Sequence, residues 1–420
     1  MAQYDLIVAG AGFSGVAAAV AAAREGLRVL LVESSGSPGG AAVNNLVYPF
    51  MPYWTKLPGS DGKELLYLSR GIFGELGRRY GELVPQGDFN RFNAEYMKVV
   101  LDRILVEYSV DVLYDTTLCA AQVCGDRLNS CALVTKGSTV SYTADFFIDA
   151  TGDAELAYMC GCPTRLGRRS DSLCQPMTLC FRVVNVDSKG FARERPELQR
   201  LYAEYRESGR LSNPRENILA FEGLGDGIVH FNSTRVIRCN PTDAFELSRA
   251  EMLAREQMIE LYEFLKKNFA CFADSVLLTS AVKIGIRESR LLDGEHVLTQ
   301  EELKALTVFP DAVAAGNYDI DIHNPDGSGT SHYYFPNGDY YTVPYRSLIP
   351  KGTANLLVAG RCISATHEAQ ASIRIMPICC TLGEAAGVAA AVAVKDKTSA
   401  KQADIGKIQA ILKANGAFIG

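Results

Sequence analysis

YDLIVAGAGFSGVAAAVAAAREG, residues 4–26, sets a short apolar run directly before three glycines spaced G-x-G-x-x-G and an alanine-rich stretch directly after them. The reading is strand, turn, helix. The three glycines have separate roles, since Gly10 makes the tight turn, Gly12 lets backbone approach a pyrophosphate, and Gly15 lets the helix lie on the strand. The helix, expected over Val16 to about Glu25, would face phosphates with unpaired N–H groups and a partial positive charge. A second strand, Arg28–Val32, ends at Glu33, where a carboxylate reaches both hydroxyls of an adenosine ribose and disfavours a phosphorylated one. This much predicts a dinucleotide site without choosing between NAD and FAD.

Glu33 runs into SSGSPGGAA, residues 34–42, a second small-residue turn that lets the chain pass beside a long, extended dinucleotide. Its Gly-Gly after the ribose acid resembles that of flavoproteins of the glutathione-reductase-like superfamily, and this resemblance implies FAD. The chain has 420 residues, 48% of them hydrophobic, enough for two or three cores and a large buried cofactor. A formal net charge of −6, with Lys and Arg scattered rather than clustered, argues against a nucleic-acid footprint. The N-terminus lacks a basic leader and its apolar run is broken by glycine, so a cytoplasmic protein with no membrane partner is expected. None of the 12 cysteines forms a C-x-x-C pair, so neither a metal site nor a redox dithiol is expected.

Residues 92–107 have apolar positions near helical period and read as an amphipathic helix. Short strands follow at 110–113, 117–123, 130–135 and 140–142, and then IDATGD, residues 148–153, a buried strand entering a Thr-Gly turn. From 154 to 343 the nucleotide signals stop. Strand-like runs at 177–184 and 227–231 and a long helix at 243–269, with loops punctuated by Pro196, Pro214, Pro241 and Pro325, suggest an inserted α+β substrate-binding domain. The expected division is 1–153 and 344–420 for the cofactor domain, a Rossmann-like, three-layer α/β unit with a parallel sheet, and 154–343 for the insertion.

Three stretches in or next to the insertion carry chemistry. GIRESR, residues 285–290, follows an alternating run that would aim Arg287 and Glu288 at opposite faces, although a surface Arg–Glu pair is the other reading. DIDIHNPDG, residues 319–327, reads as a polar turn holding His323, solvated or catalytic. YYTVPYRSL, residues 340–348, offers aromatics for a cavity wall or for core. Near the C-terminus, NLLVAGR, residues 355–361, repeats the strand-then-glycine arrangement and implies another dinucleotide contact. After a loop with His367 and Arg374, Pro377 opens a helix kept thin by Gly383, Gly387 and many alanines. Its expected place is against the first sheet, with N-terminal amides toward the redox ring, where they would stabilise the negative charge of a reduced flavin.

Taken together, GAGFSG with Glu33, GSPGGAA, IDATGD, GIRESR, DIDIHNPDG, VPYRSLIP, NLLVAGRCISATHEA and RIMPICCTLGEAAGVAAA resemble the FAD-dependent oxidoreductases of bacteria within the glutathione-reductase-like superfamily. The likeness spans most of the chain, leaving 184–278 unmatched. It implies FAD on Gly10, Gly12, Phe13, Ser14, Gly15, Glu33, Ser34, Gly40, Ala41, Val123, Ala150, Thr151, Gly152, Gly360, Arg361, Ile375 and Met376. It also implies a substrate cleft lined by Arg287, Arg290, His323, His367 and Arg374. The second fingerprint of glutathione-reductase-type enzymes is missing, so a separate NADPH domain is not implied. The expected function is hydride transfer between flavin N5 and a small polar or acidic substrate, with an electron donor or acceptor the sequence leaves open. Arginines would bind that substrate and a histidine would handle the proton. A flavin monooxygenase is the alternative, although Gly360-Arg361 stands where aromatic hydroxylases carry a Gly-Asp motif. A structural flavoprotein acting on RNA or a partner chain is the third reading.

Overall fold

The computed structural model describes residues 3–59 and 64–420. Its large sheet contains, in chain order, β1 (Tyr4–Ala9), β2 (Val29–Val32), β3 (Asp111–Leu113), β4 (Thr117–Cys124), β5 (Arg127–Thr135), β6 (Ser138–Asp149) and β7 (Leu356–Val358). Five of them, in the spatial order β3-β2-β1-β6-β7, are parallel. β6 belongs to two arrangements at once. Residues 138–143 pair antiparallel with β5 to complete a β4-β5-β6 meander, while residues 144–149 lie parallel between β1 and β7. The strand expected at 140–142 and the buried strand expected to enter the IDATGD turn are therefore one.

The alternation of side chains along β1 divides the core into layers. Leu6 and Val8 face helices, among them α1 (Phe13–Arg24) and α2 (Met376–Asp396), whereas Ile7 and Ala9 face Leu118, Leu128 and Leu133 of the meander. The three-layer α/β expectation is met, with a β-meander as the third layer. A sheet covered on both faces needs apolar residues at consecutive positions, and Leu6, Ile7 and Val8 are all fully buried.

α1 starts at Phe13, three residues before the expected Val16, so its first turn reaches back to the fingerprint itself. The thin C-terminal helix packs on α1 more closely than on the sheet, which corrects the placement expected from sequence. A Cβ on Gly383 would stand 1.9 Å from the Ser14 carbonyl oxygen, and one on Gly387 2.2 Å from that of Ala18. Two helix backbones touch there. α2 is also the one helix among the described residues long and apolar enough to cross a bilayer, and 94% of its apolar window is buried inside the protein.

Within α2, Glu384 is fully buried and accepts a hydrogen bond from the Ile72 N–H at 2.9 Å, tying α2 to the start of the Ile72–Leu83 helix. Burial pushes its carboxyl up to about 7, against the smaller opposing effects of the Ile72 bond and Arg24. A carboxyl raised in the folded state favours folding while it stays protonated, so this contribution declines as pH rises from about 4.5 through about 7. Glu384→Gln keeps an acceptor for Ile72 and cannot ionise. It is expected to match the parent near pH 5 and to exceed its stability at pH 8 by about 3 kcal/mol, at ~1.4 kcal/mol per pKa unit. Urea unfolding at the two pH values checks this, and an equal difference at both would overturn it.

The region 154–343 builds a four-stranded antiparallel sheet in the order Ala220–Phe221, Val229–Phe231, Phe181–Val184, Val276–Ser280. Helices Ser188–Glu207 and Ala244–Asn268 add Phe191, Tyr202, Leu261 and Phe264 to the core that holds Phe181 and Phe231. Pro196 lies inside the first of these helices, not in a loop as its residue type suggested. The stretch 319–327 is likewise more ordered than a polar turn. Ile320–His323 is a strand paired antiparallel with Thr330–Tyr333, in a register that sets Asp321 opposite His332 and His323 opposite Thr330.

Candidate functional site

A cavity of about 1020 Å³ runs along the carboxyl ends of the parallel strands, the edge at which open α/β sheets bind ligands. Four of those strands end on it: Gly10 follows β1, Glu33 follows β2, Ala150 follows β6, and Ala359 with Gly360 follows β7. The first turn is shaped by contacts that only glycine permits. Gly10 has φ +93°, and a Cβ there would lie 2.5 Å from the Ala150 carbonyl oxygen. Gly15 sits beneath the cavity, where a Cβ would meet the Gly10 oxygen at 1.7 Å. Gly12 differs from both, because a Cβ on it would meet no protein atom within 4 Å and would project into the cavity.

The second small-residue turn folds over the first: Gly40, at φ +46°, would place a Cβ 3.0 Å from the Gly12 Cα. Glu33 is held in place between the two turns. One oxygen accepts the Ala11 N–H at 2.7 Å, and the other accepts the Ser35 N–H at 2.8 Å and hydroxyl at 2.5 Å. The IDATGD turn is fixed by Asp149, whose buried carboxylate accepts the Thr151 N–H and hydroxyl and the Ala157 N–H. Arg361 closes this end, donating to Asp153 Oδ1 at 2.7 Å and Ser289 Oγ at 2.9 Å.

The cavity continues along residues from the region 154–343. At this inner end, Arg287 lies among neutral oxygens, donating to Pro176 O and Thr178 Oγ1 at 2.6 Å and to Asn232 Oδ1 at 3.3 Å. Burial and then the neighbouring guanidiniums of Arg374, Arg215 and Arg235 pull its pKa down to about 9. Arg374 donates to Asp321 O at 3.3 Å and Oδ2 at 3.2 Å. Asp321 also accepts from Tyr318 Oη at 3.1 Å. Burial would raise the Asp321 carboxyl, but the hydrogen bond of His323 and the charges of Arg374 and Arg287 hold it below the usual carboxylate range.

His323 is buried with both nitrogens engaged. Arg235 can only donate, so His323 Nδ1, 3.0 Å from Arg235 Nη2, must accept, and the ring proton sits on Nε2 facing Asp321 Oδ2 at 3.3 Å. Burial and then Arg287 depress its pKa to about 3, so the ring is neutral near pH 7.

Residues 5–412 match the family described as FAD dependent oxidoreductase. The chain belongs to that family. No curated protein matches it. Among solved structures the oxidoreductase is similar to a geranylgeranyl bacteriochlorophyll reductase-like protein from Thermoplasma acidophilum, at 13% identity and TM-score 0.48, over 99% of this chain and 84% of that one. It is also similar to p-nitrophenol 4-monooxygenase from Pseudomonas putida DLL-E4, at 10% identity and TM-score 0.46, over 99% and 89% of the two chains. A third likeness is to the flavin-dependent brominase Bmp2, at 11% identity and TM-score 0.46, over 98% and 83%.

The cofactor of this family is FAD, and the residues of the oxidoreductase fit it. The N-terminus of α1 has no side-chain cap, and its first residues, Gly12, Phe13 and Ser14, line the cavity, so the N–H groups of that turn are available to an anion. Ser14 Oγ is buried without a protein partner at the same place. The N-terminus of α2 is uncapped too and brings Ile375 and Met376 to the wall.

Of the residues implicated by sequence, Ser34, Ala41, Ala150, Thr151 and Gly152 also line this cavity, together with Gly360 and Arg361. Arg287, His323 and Arg374 meet at its inner end. Besides Gly15, which sits beneath the cavity, three residues do not join them. Val123 stands near the outer end of β4 with its side chain exposed, and it is the segment 116–118 leading into that strand that reaches the cavity. Arg290 turns away, its Nε donating to Asp153 O at 3.0 Å and its guanidinium lying 4.5 Å from the centroid of the Tyr158 ring. His367 opens a short helix, His367–Ile373, where a loop was expected, and is buried against Glu288 outside the cavity, with Nδ1 2.9 Å from Oε1. The alternation expected at 287–288 therefore holds, with Arg287 on the cavity and Glu288 in the core. The oxidoreductase also places Arg215, Tyr318, Asp321 and His332 on the inner wall, where sequence reasoning had not. His332 is held by Asp319, Nδ1 to Oδ2 at 2.5 Å, and stacks on Tyr334 with ring centroids 5.4 Å apart.

Proposed function

We propose that this oxidoreductase carries out two-electron oxidation or reduction of a small polar or acidic organic substrate seated at the inner end of the cavity. One observation carries the reading: a single cavity joins the fingerprint glycines to a polar wall of Arg287, Tyr318, Asp321, His332 and Arg374. In this reading residues 1–153 and 344–420 grip the cofactor in the manner of glutathione-reductase-like enzymes, and residues 154–343 supply the substrate side. Gly10, Gly12, Ser14, Glu33, Gly40, Arg361 and Met376 hold FAD, which supplies two-electron chemistry at its ring when bound. Arg287 and Arg374 bind and orient the substrate, and Leu219, Phe221 and Ile286 exclude water beside it.

Proton transfer is assigned to His332 Nε2 rather than to His323 or His367. Both His323 nitrogens are occupied and its ring resists a second proton, while His367 lies outside the cavity. At His332 the Asp319 carboxylate takes the Nδ1 side and leaves Nε2 for the substrate. His332→Gln is expected to lower kcat by about 10²–10⁴ with FAD content unchanged. Parental turnover in that variant would remove His332 from the reaction.

The reading is tested by anaerobic mixing of the FAD-loaded protein with sugar acids, amino acids and unsaturated carboxylates, the last after reducing the flavin. Bleaching, or reoxidation, by one class supports it. NADPH- or NADH-driven oxygen consumption yielding a hydroxylated product would replace it with the monooxygenase reading.

A further inference from the structure

The balance of charge at the inner end of the cavity bears on the substrate class, resting on the redox reading just given. Arg235, only 1% exposed, is matched by Glu216 at 3.3 Å, and Arg374 by Asp321 at 3.2 Å. Arg215 and Arg287 have no such match. Among the described residues neither forms an ion pair with a carboxylate, and the Arg287 donors go to two neutral side-chain oxygens and a carbonyl. Arg215 is 4% exposed, reaches Asn217 Oδ1 only at 3.4 Å through Nε, and leaves Nη1 without a partner. Arg374 Nε is a second buried donor with no acceptor. Neutral His323 adds no charge, and His332 is already matched by Asp319.

Two guanidinium groups thus line the inner end of the cavity without a carboxylate in ion-pair contact among the described residues. An unpaired buried charge costs several kcal/mol, and a ligand of opposite charge removes that cost. Arginine suits a planar acceptor, because its N–H groups form a fork that matches a carboxylate. Arg215 precedes the Ala220–Phe221 strand and Arg287 follows the Val276–Ser280 strand, so the unmatched donors come from different loops. Two separate planar groups fit that arrangement better than one tetrahedral group.

We propose that the inner end of the cavity takes a dicarboxylic acid, with one carboxylate on Arg215 and the other on Arg287, and with Arg374 Nε as a further donor. The carbon chain between the two carboxylates is then the part presented for oxidation or reduction. Holding both ends fixes which carbon faces the cofactor, whereas a chain held by one arginine would be free to pivot.

The test is calorimetric titration of the FAD-loaded protein with the series malonate to adipate, with butyrate as monocarboxylate and butyl phosphate as phosphomonoester. At least one dicarboxylate is expected to bind about tenfold or more tightly than butyrate, the range of a charged hydrogen-bonded contact. Arg215→Gln should bring that dicarboxylate down to the affinity of butyrate with the FAD content unchanged, and Arg215→Lys, which keeps the charge, should recover part of the difference. Equal affinity for dicarboxylate and monocarboxylate, or tighter binding of butyl phosphate, would overturn the assignment. If a neutral polyol bleaches the flavin while no dicarboxylate binds, this inference fails and the oxidoreductase reading stands. If no small molecule perturbs the flavin, and His332→Gln and Arg374→Ala change nothing, the reading itself fails.

Discussion

Gly12→Val is expected to give a folded protein that no longer retains FAD. The two properties separate because Gly12 has φ −65° and ψ 179°, a backbone conformation open to any residue, and an added Cβ would meet no protein atom within 4 Å. The new side chain would occupy the space above the first turn of α1, where the uncapped N–H groups proposed to meet the cofactor's phosphates lie. Affinity for FAD should fall by about a hundredfold or more, which corresponds to ~3 kcal/mol of lost contact and clash. Urea unfolding of the apo-protein should be unchanged.

Gly383→Val is the contrasting case, since its Cβ would lie 1.9 Å from the Ser14 carbonyl oxygen and 2.7 Å from the Ser14 Cα. Relief requires α2 to move off α1, which costs about 3 kcal/mol or more and displaces the fingerprint turn with it. Stability and FAD retention should therefore be lost together. Absorbance of the purified proteins near 450 nm and unfolding midpoints separate the two variants. A Gly12→Val protein that stays yellow would show that the cavity above this turn does not hold the cofactor.

The same contrast shows what the sequence could reveal. Gly10, Gly12, Gly15 and Glu33 were legible because their roles depend on backbone within a few residues of each other: one strand, one turn and one helix start. Gly383 and Gly387 were legible as a close approach but not as to what, because the partner, α1, lies at the other end of the chain. The inner wall was mostly hidden. Asp321 and His332 come together only through the register of a hairpin whose first strand, IDIH, reads as a polar turn. Arg215 gave no local signal, since a single arginine between Pro214 and Glu216 looks like any loop residue. Val123 failed for a geometric reason. A meander strand runs away from the cavity, and a resemblance at one position does not say which end of the strand reaches the ligand. His367 failed for a chemical one, because a partner for it, Glu288, was visible only as the neighbour of Arg287.

Removing Arg374 should cost substrate turnover far more than cofactor binding. Its side chain is 14% exposed and donates to both the backbone and the carboxylate of Asp321, with Nε unpartnered beside the cavity. In Arg374→Ala, Asp321 keeps only Tyr318 and His323 as hydrogen-bond donors, and a buried carboxylate deprived of its ion pair destabilises a protein by about 3 kcal/mol. Part of any lost activity could then come from a distorted hairpin. The second substitution Asp321→Asn distinguishes the causes, because it removes the stranded charge and leaves an amide able to accept the Tyr318 hydroxyl. The double variant is expected to regain most of the lost stability while kcat/KM stays down by about 10²–10³, the scale of a charged contact made to a bound substrate. Were turnover to return with stability, Arg374 would be no more than the partner that keeps Asp321 in place. Substrate anchoring would then rest on Arg215 and Arg287, the latter held by three neutral contacts and no ion pair.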